Sequence, residues 1–115
     1  MIKIKRVYES AAKDDGYRIL VDRLWPRGIK KEGSAIDLWL KEIAPSAVLR
    51  KWFSHDPKKW HSFFDRYQNE LKGKEAELKK IEQIEKDKGV ITLLYSAKNE
   101  NYNNATALRD VLKLR

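Results

Sequence analysis

The run Asp15-Gly-Tyr-Arg-Ile-Leu-Val-Asp-Arg-Leu-Trp-Pro-Arg-Gly28 places the tightest constraint on the fold. Ile19, Leu20 and Val21 form a continuous apolar stretch, the pattern of a short strand covered on both faces. Trp25-Pro26-Arg27-Gly28 ends it, because proline lacks a ladder donor and glycine admits unusual backbone angles. Arg23 and Arg27 flank that stop. Ligands of open α/β sheets bind beyond the carboxyl ends of the strands. Two fixed positive charges at a strand exit therefore point to an anion site without naming the anion.

The rest of the chain supplies the elements around this strand. Ile2 to Tyr8 alternates as a first strand does, residues 9–16 make a polar connection closing on Asp15-Gly16, and residues 17–24 form the second strand. An Asp-Gly turn also closes hairpins, and eight residues are few for a parallel crossover, so both relative directions of these strands stay open. Ser34 followed by Asp37 has the spacing of a capping box and predicts a helix that buries Ile36, Trp39, Leu40 and Ile43 and ends at Pro45. Ser46 caps a second, short helix burying Leu49, Trp52 and Phe53. Asp56 and Pro57 begin a third, along which Trp60, Phe63, Phe64, Tyr67 and Leu71 recur on one face. Residues 74–88 make a charged helix with Leu78, Ile81 and Ile84 inward and Gly89 as its stop. Val90 to Ser96 is a second nearly continuous apolar strand. After the polar loop 98–104, a last helix buries Ala105, Leu108, Val111 or Leu112, and Leu114.

This order, β-β-α-α-α-α-β-α, predicts one α/β domain over residues 1–115. Its sheet is small, mainly parallel and three-stranded, with room for one extra short strand, and about five helices cover it. Hydrophobic residues make up 42% of the chain, enough for one core of that size. Cysteine is absent, which removes disulfides, thiolate nucleophiles and thiolate-ligated metals from consideration. The amino terminus lacks the apolar core of a signal peptide and no stretch approaches a membrane span, so a soluble, cytoplasmic protein is expected.

Several blocks follow one another in a recognisable order. They are Arg6-Val-Tyr8, the stretch from Asp15 to Gly28, Trp39-Leu-Lys-Glu42 with Ala44-Pro-Ser46, Leu49-Arg-Lys-Trp-Phe53 with His55-Asp-Pro57, and Thr92-Leu-Leu-Tyr-Ser-Ala97. Together they resemble the YeaO-like branch of the family called domain of unknown function 488, over essentially the whole chain. The resemblance transfers no activity, since the family has none established. It does imply a departure. Longer relatives carry cysteine and a His-Arg pair around and after the last strand, whereas here Tyr95 ends that strand and Asn103-Asn104 precede the helix.

Parallel strands bring Arg6 and Tyr8, Asp22, Arg23 and Arg27, and Tyr95, Ser96 and Lys98 to one edge; these residues and His55 form the candidate ligand site. Arginine forks suit carboxylates and phosphates because they donate two parallel hydrogen bonds. The structural alternative pairs Arg23 with Asp22 or with a helix carboxylate, locking the turn. Asp22 is the carboxylate best placed for chemistry, although holding Arg23 or Arg27 is its simpler role. His55 sits in a loop beside aromatic residues, and imidazole is a common general acid or base. His61 falls on the exposed side of its helix, and two histidines without an i,i+4 partner predict no metal site. Ser96 lacks the small neighbours of a nucleophile elbow, and no glycine-rich phosphate loop or other cofactor motif appears. No reaction type follows.

The formal charge of +8 is uneven: residues 1–60 hold 14 Lys and Arg against 8 Asp and Glu, residues 61–115 hold 11 against 9. Three functions compete. A small enzyme or sensor that binds an anionic metabolite at the strand exits, with phosphorylated and nucleotide ligands among the candidates, requires Arg6, Arg23, Arg27 and Lys98 to cluster. Sequence-independent nucleic-acid binding requires a continuous basic surface including Lys30, Lys31, Lys58 and Lys59. A protein-interaction module would use the exposed faces of helix 74–88.

Overall fold

A computed structural model describes all residues, Met1–Arg115. Four strands form one sheet: β1 (Ile2–Arg6), β2 (Tyr17–Leu20), β3 (Leu38–Trp39) and β4 (Ile91–Tyr95), in the spatial order β1-β4-β2-β3. Every pairing is parallel, with Ile4 opposite Leu93 and Ile19 also opposite Leu93 from the other side. The first two strands are therefore parallel but are not neighbours, because the last apolar strand inserts between them.

The short connection between β1 and β2 manages this as an irregular strap across the sheet. A chain reaches roughly 3.3 Å per residue when extended, so no helix is needed to return it to the starting edge. Lys3 Nζ donates to the Asp14 carbonyl at 2.8 Å, and Lys5 Nζ to both Asp15 carboxylate oxygens at 3.2 Å. The strap ends in a 3-10 turn, Lys13–Asp15, and then Gly16 at φ +65°. Only glycine fits there, since a Cβ would lie 2.2 Å from the Val90 carbonyl oxygen.

The helix predicted from Ser34 does not form. Residues 37–40 instead continue the sheet: Asp37 N–H donates to the Arg18 carbonyl and Leu40 N–H to the Leu20 carbonyl, each at 2.9 Å, while the Asp37 carboxylate accepts from Arg18 N–H at 2.8 Å. The Ser34 hydroxyl is spent backwards on the Lys31 carbonyl at 3.0 Å, so it caps nothing. A 3-10 turn, Lys41–Ile43, is all the helix that remains, and Ala44 is extended, as the residue before Pro45 must be. The four apolar residues assigned to one helix face divide accordingly. Leu40 and Ile43 enter the main core, while Ile36 and Trp39 are half-buried on the opposite side of the sheet.

Four α-helices complete the fold: α1 (Ala47–Phe53), α2 (Trp60–Leu71), α3 (Glu75–Lys88) and α4 (Asn104–Leu114). The Ser46 hydroxyl accepts from Leu49 N–H at 3.1 Å and the Asp56 carboxylate from Lys58 N–H at 3.0 Å, so both predicted caps operate. Asp56 and Pro57 first open a 3-10 turn, Pro57–Lys59, that runs into α2. Phe63, Tyr67 and Leu71 of the aromatic stripe are buried, whereas Trp60 and Phe64 are half-buried at its margin. Leu114, expected inside, is 70% exposed because α4 has passed the edge of the core.

The helices lie on one face only. Ile19, Val21, Ile91, Leu93 and Tyr95, with Ile2 and Ile4, point into the helical core. Leu20 and Leu94 point the other way, into a small cluster with Val7 that is closed by Trp25, Ile29 and Ile36 from loops and by Trp39 of β3. The continuous apolar runs are explained, since β2 and β4 are buried on both sides. Loop aromatics supply the second cover that helices were expected to give. No helix is long and apolar enough to cross a membrane.

Candidate functional site

After β1 and β2 the chain leaves over the loop-covered face, and after β4 it leaves towards α4 on the helical face. Because β4 lies between those two strands, a crevice opens at its carboxyl end, where open α/β sheets place their ligands. A cleft of about 1030 Å³ occupies this position. Eight of the nine residues singled out from sequence line it: Arg6, Tyr8, Asp22, Arg23, Arg27, His55, Ser96 and Lys98. Tyr95 does not. Strand alternation turns its side chain into the helical core, where it is 2% exposed and burial pushes its phenol above the ordinary value.

Asp22 forms the floor. Val21 N–H donates to the Leu94 carbonyl at 3.1 Å, which sets Asp22 beside Ser96 across the strand ends. One Asp22 oxygen accepts from Ser96 N–H at 2.9 Å and from the Ser96 hydroxyl at 2.7 Å; the other accepts from Asn104 Nδ2 at 3.0 Å. The same Asn104 amide donates to the Val21 carbonyl at 3.0 Å. The expectation that Asp22 holds Arg23 or Arg27 is thus corrected, because its two oxygens already tie β2 to β4 and to the start of α4.

The cations differ in how firmly they are held. Arg6 Nε donates to the Ala97 carbonyl at 2.9 Å and Nη2 to the Ser96 carbonyl at 3.2 Å, and its guanidinium stacks 4.9 Å from the Tyr8 ring centroid. The Tyr8 hydroxyl in turn donates to the Arg27 carbonyl at 2.8 Å, closing that rim. Arg23 reaches the Pro45 and Ala44 carbonyls at 3.3–3.4 Å, so the turn lock exists, but its partners are carbonyls rather than Asp22 or a helix carboxylate. Lys74 donates to the same Ala44 carbonyl at 3.1 Å and to that of Glu42; burial, then the nearby Arg23 charge, lowers its pKa. Carbonyl partners orient a guanidinium without neutralising it. Arg27 and Lys98 use no side-chain donor within the molecule and are exposed.

His55 stands at the opposite rim, its ring 6.4 Å from that of Phe53. Ser54 and His55 both adopt left-handed backbone angles, φ 48° and 57°, which non-glycine residues seldom do. The adjacent Asp56 carboxylate is occupied as a helix cap. Arg50, Asn103 and Asn104 also line the cleft, although none of the three is among the nine residues singled out from sequence. Asn103 is the N-cap of α4, its Oδ1 accepting from Thr106 N–H at 2.9 Å, and an Asn-Asn pair before a helix was the available signal. Arg50 offered none, being one exposed cation among many.

The lysines proposed for a nucleic-acid surface are partly engaged with indole rings. Lys31 lies 5.7 Å from the Trp25 ring and 5.3 Å from that of Trp39, and Lys59 sits 5.1 Å from Trp52 while donating to its carbonyl at 2.9 Å.

Comparison with known proteins follows the geometry. A family model described as "Inactive DUF488-N3 subclade" matches residues 1–115. The chain is 52% identical over 112 residues to "Uncharacterized protein YeaO" of Escherichia coli (strain K12), spanning 97% of this chain and 96% of that one. It is 37% identical over 113 residues to "Uncharacterized protein Rv3073c" of Mycobacterium tuberculosis (strain ATCC 25618 / H37Rv), spanning 96% and 92% of the two chains. No solved structure matches. The chain therefore belongs to the YeaO-like branch of the family called domain of unknown function 488.

Proposed function

We propose that this protein binds an anionic small molecule, bearing phosphate or carboxylate, in the cleft at the carboxyl ends of β1, β2 and β4. One observation carries the reading: Arg6, Arg23, Arg27, Arg50 and Lys98 line a single concavity whose sole acidic residue, Asp22, already has both oxygens hydrogen-bonded. Five cations against one carboxylate in a recess raise the local anion concentration. A binding role without turnover accords with the description of the matched family model as inactive, and with the lack of cysteine. The nucleic-acid reading has less support, since Lys31 and Lys59 are drawn onto tryptophan faces rather than left along one stripe.

The test is a thermal-shift titration with inorganic phosphate, ribose 5-phosphate and dicarboxylates at low and high salt. Ligands of the folded state raise the melting temperature by mass action. Arg27→Ala is expected to keep the fold and lose the shift, because its side chain holds nothing else. Arg23→Ala is expected to lower the melting temperature as well, because it frees the Ala44–Pro45 segment. A shift retained in Arg27→Ala, or one seen only with nucleic acid, would move the function elsewhere.

A further inference from the structure

We infer that the ligand of this cleft is a nucleoside phosphate, a molecule joining a phosphate to a planar heterocycle, rather than a free oxyanion or a small dicarboxylate. The inference rests on the anion-binding reading and narrows it. A volume of about 1030 Å³ lies at the upper end of sites that enclose drug-sized ligands, which span roughly 300–1,000 Å³. A bare tetrahedral oxyanion would fill a small part of it and satisfy one cation group. The basic residues come from different elements: Arg6 ends β1, Arg23 and Arg27 follow β2, and Arg50 is on α1.

The walls ask for more than charge. Leu24, Trp25 and Pro26 line the cleft beside the arginines, and Leu24 is 62% exposed, an apolar side chain with nothing of this protein to cover it. The Arg6 guanidinium sits over the Tyr8 ring, and guanidinium and aromatic planes are the groups that bases stack on. The floor adds a hydrogen-bonding edge. Asn104 spends its Nδ2 on Val21 and Asp22, which fixes the amide and leaves its Oδ1 with no intramolecular donor. An acceptor held in that way reads an N–H or O–H of the ligand. Proteins that recognise a lone base combine such edge contacts with stacking between aromatic and apolar side chains. A phosphosugar has no apolar face for Leu24 and Trp25, and a nucleoside has no charge for Arg27; a nucleoside phosphate has both.

The experiment is isothermal titration calorimetry at low salt with the four nucleoside 5′-monophosphates, ribose 5-phosphate, adenosine and inorganic phosphate, then a short single-stranded oligonucleotide. At least one monophosphate is expected to bind tenfold or more tightly than ribose 5-phosphate, inorganic phosphate and adenosine. Leu24→Ala is expected to weaken that monophosphate at least threefold and leave ribose 5-phosphate unchanged, since the exposed side chain contributes only to the heterocycle. Ribose 5-phosphate binding as tightly as every monophosphate would overturn the inference and leave the anion site standing. An oligonucleotide that binds while no monophosphate does would overturn it in favour of a polymer. No binding of any phosphate would overturn it as well, and the dicarboxylate titration then decides whether the anion site itself stands.

Discussion

Asp15→Ala is the substitution with the largest consequence that the structure lets one calculate. Asp15 is 4% exposed and Arg18 is 6% exposed, and they form an ion pair inside the loop-covered face. The carboxylate also accepts from Ala12 N–H at 3.0 Å and from Lys5 Nζ at 3.2 Å. Removing it leaves the Arg18 guanidinium buried with one remaining partner, the Ala35 carbonyl at 2.6 Å. An uncompensated buried charge costs about 3–5 kcal/mol. Lys5 adds less, because its side chain is 20% exposed and can turn to water. Domains of this length have a total stability of roughly 6–17 kcal/mol at 0.05–0.15 kcal/mol per residue, so the variant loses a large share of it. Urea denaturation measures this directly. With an m-value of about 2 kcal/mol per M the midpoint falls by roughly 1.5–2.5 M. Asp15→Leu combined with Arg18→Met is expected to be more stable than Asp15→Ala, because deleting both charges removes the orphan. The pH dependence has a definite sign. Burial pushes the Asp15 carboxyl up, but the Ala12 N–H, Lys5 and Arg18 together hold it below its ordinary 3.8. Its contribution is therefore complete above that value and is lost as pH falls from 3.8 through the lower folded-state pKa. A loss under about 1 kcal/mol in Asp15→Ala, or a double variant no more stable than the single, would refute this account of the pair.

Two further substitutions test the packing. Gly16→Ala is expected to destabilise by several kcal/mol or prevent folding, since its Cβ would overlap the Val90 carbonyl while φ is positive; soluble yield and melting temperature report it, and an unchanged melting temperature would contradict the strap geometry. Phe63→Ala is expected to lose about 3–5 kcal/mol, as buried aromatics do, and Trp60→Ala less, because Trp60 is only half-buried against Tyr102 at 5.3 Å; equal losses in chemical denaturation would show that the stripe's margin is better packed than its exposure implies.

Local chemistry carried much of the fold in the sequence alone. The runs Ile19–Val21 and Ile91–Leu94, the second interrupted only by Thr92, announced doubly covered strands because short apolar runs bounded by turn signals suit a sheet buried on both faces. Ser46, Asp56-Pro57 and Gly89 marked helix ends because capping involves only neighbours in the chain. The strand exits followed from the same punctuation, so Arg6, Arg23, Arg27, Ser96 and Lys98 share one edge once the strands run parallel. What the sequence withheld depended on partners far along the chain. Residues 37–40 became strand because Arg18 and Leu20 offered ladder partners, a competition that a local capping pattern cannot register. β4 inserted between β1 and β2 and paired parallel with both, which makes the first two strands parallel. Asp22 was captured by Ser96 and by Asn104, more than seventy residues away, so its role belongs to the sheet order and not to its flanking arginines. Arg50 joined the site for the same reason. Residue type and spacing fix which groups reach an element's end, whereas only the packing of distant elements fixes which groups meet there.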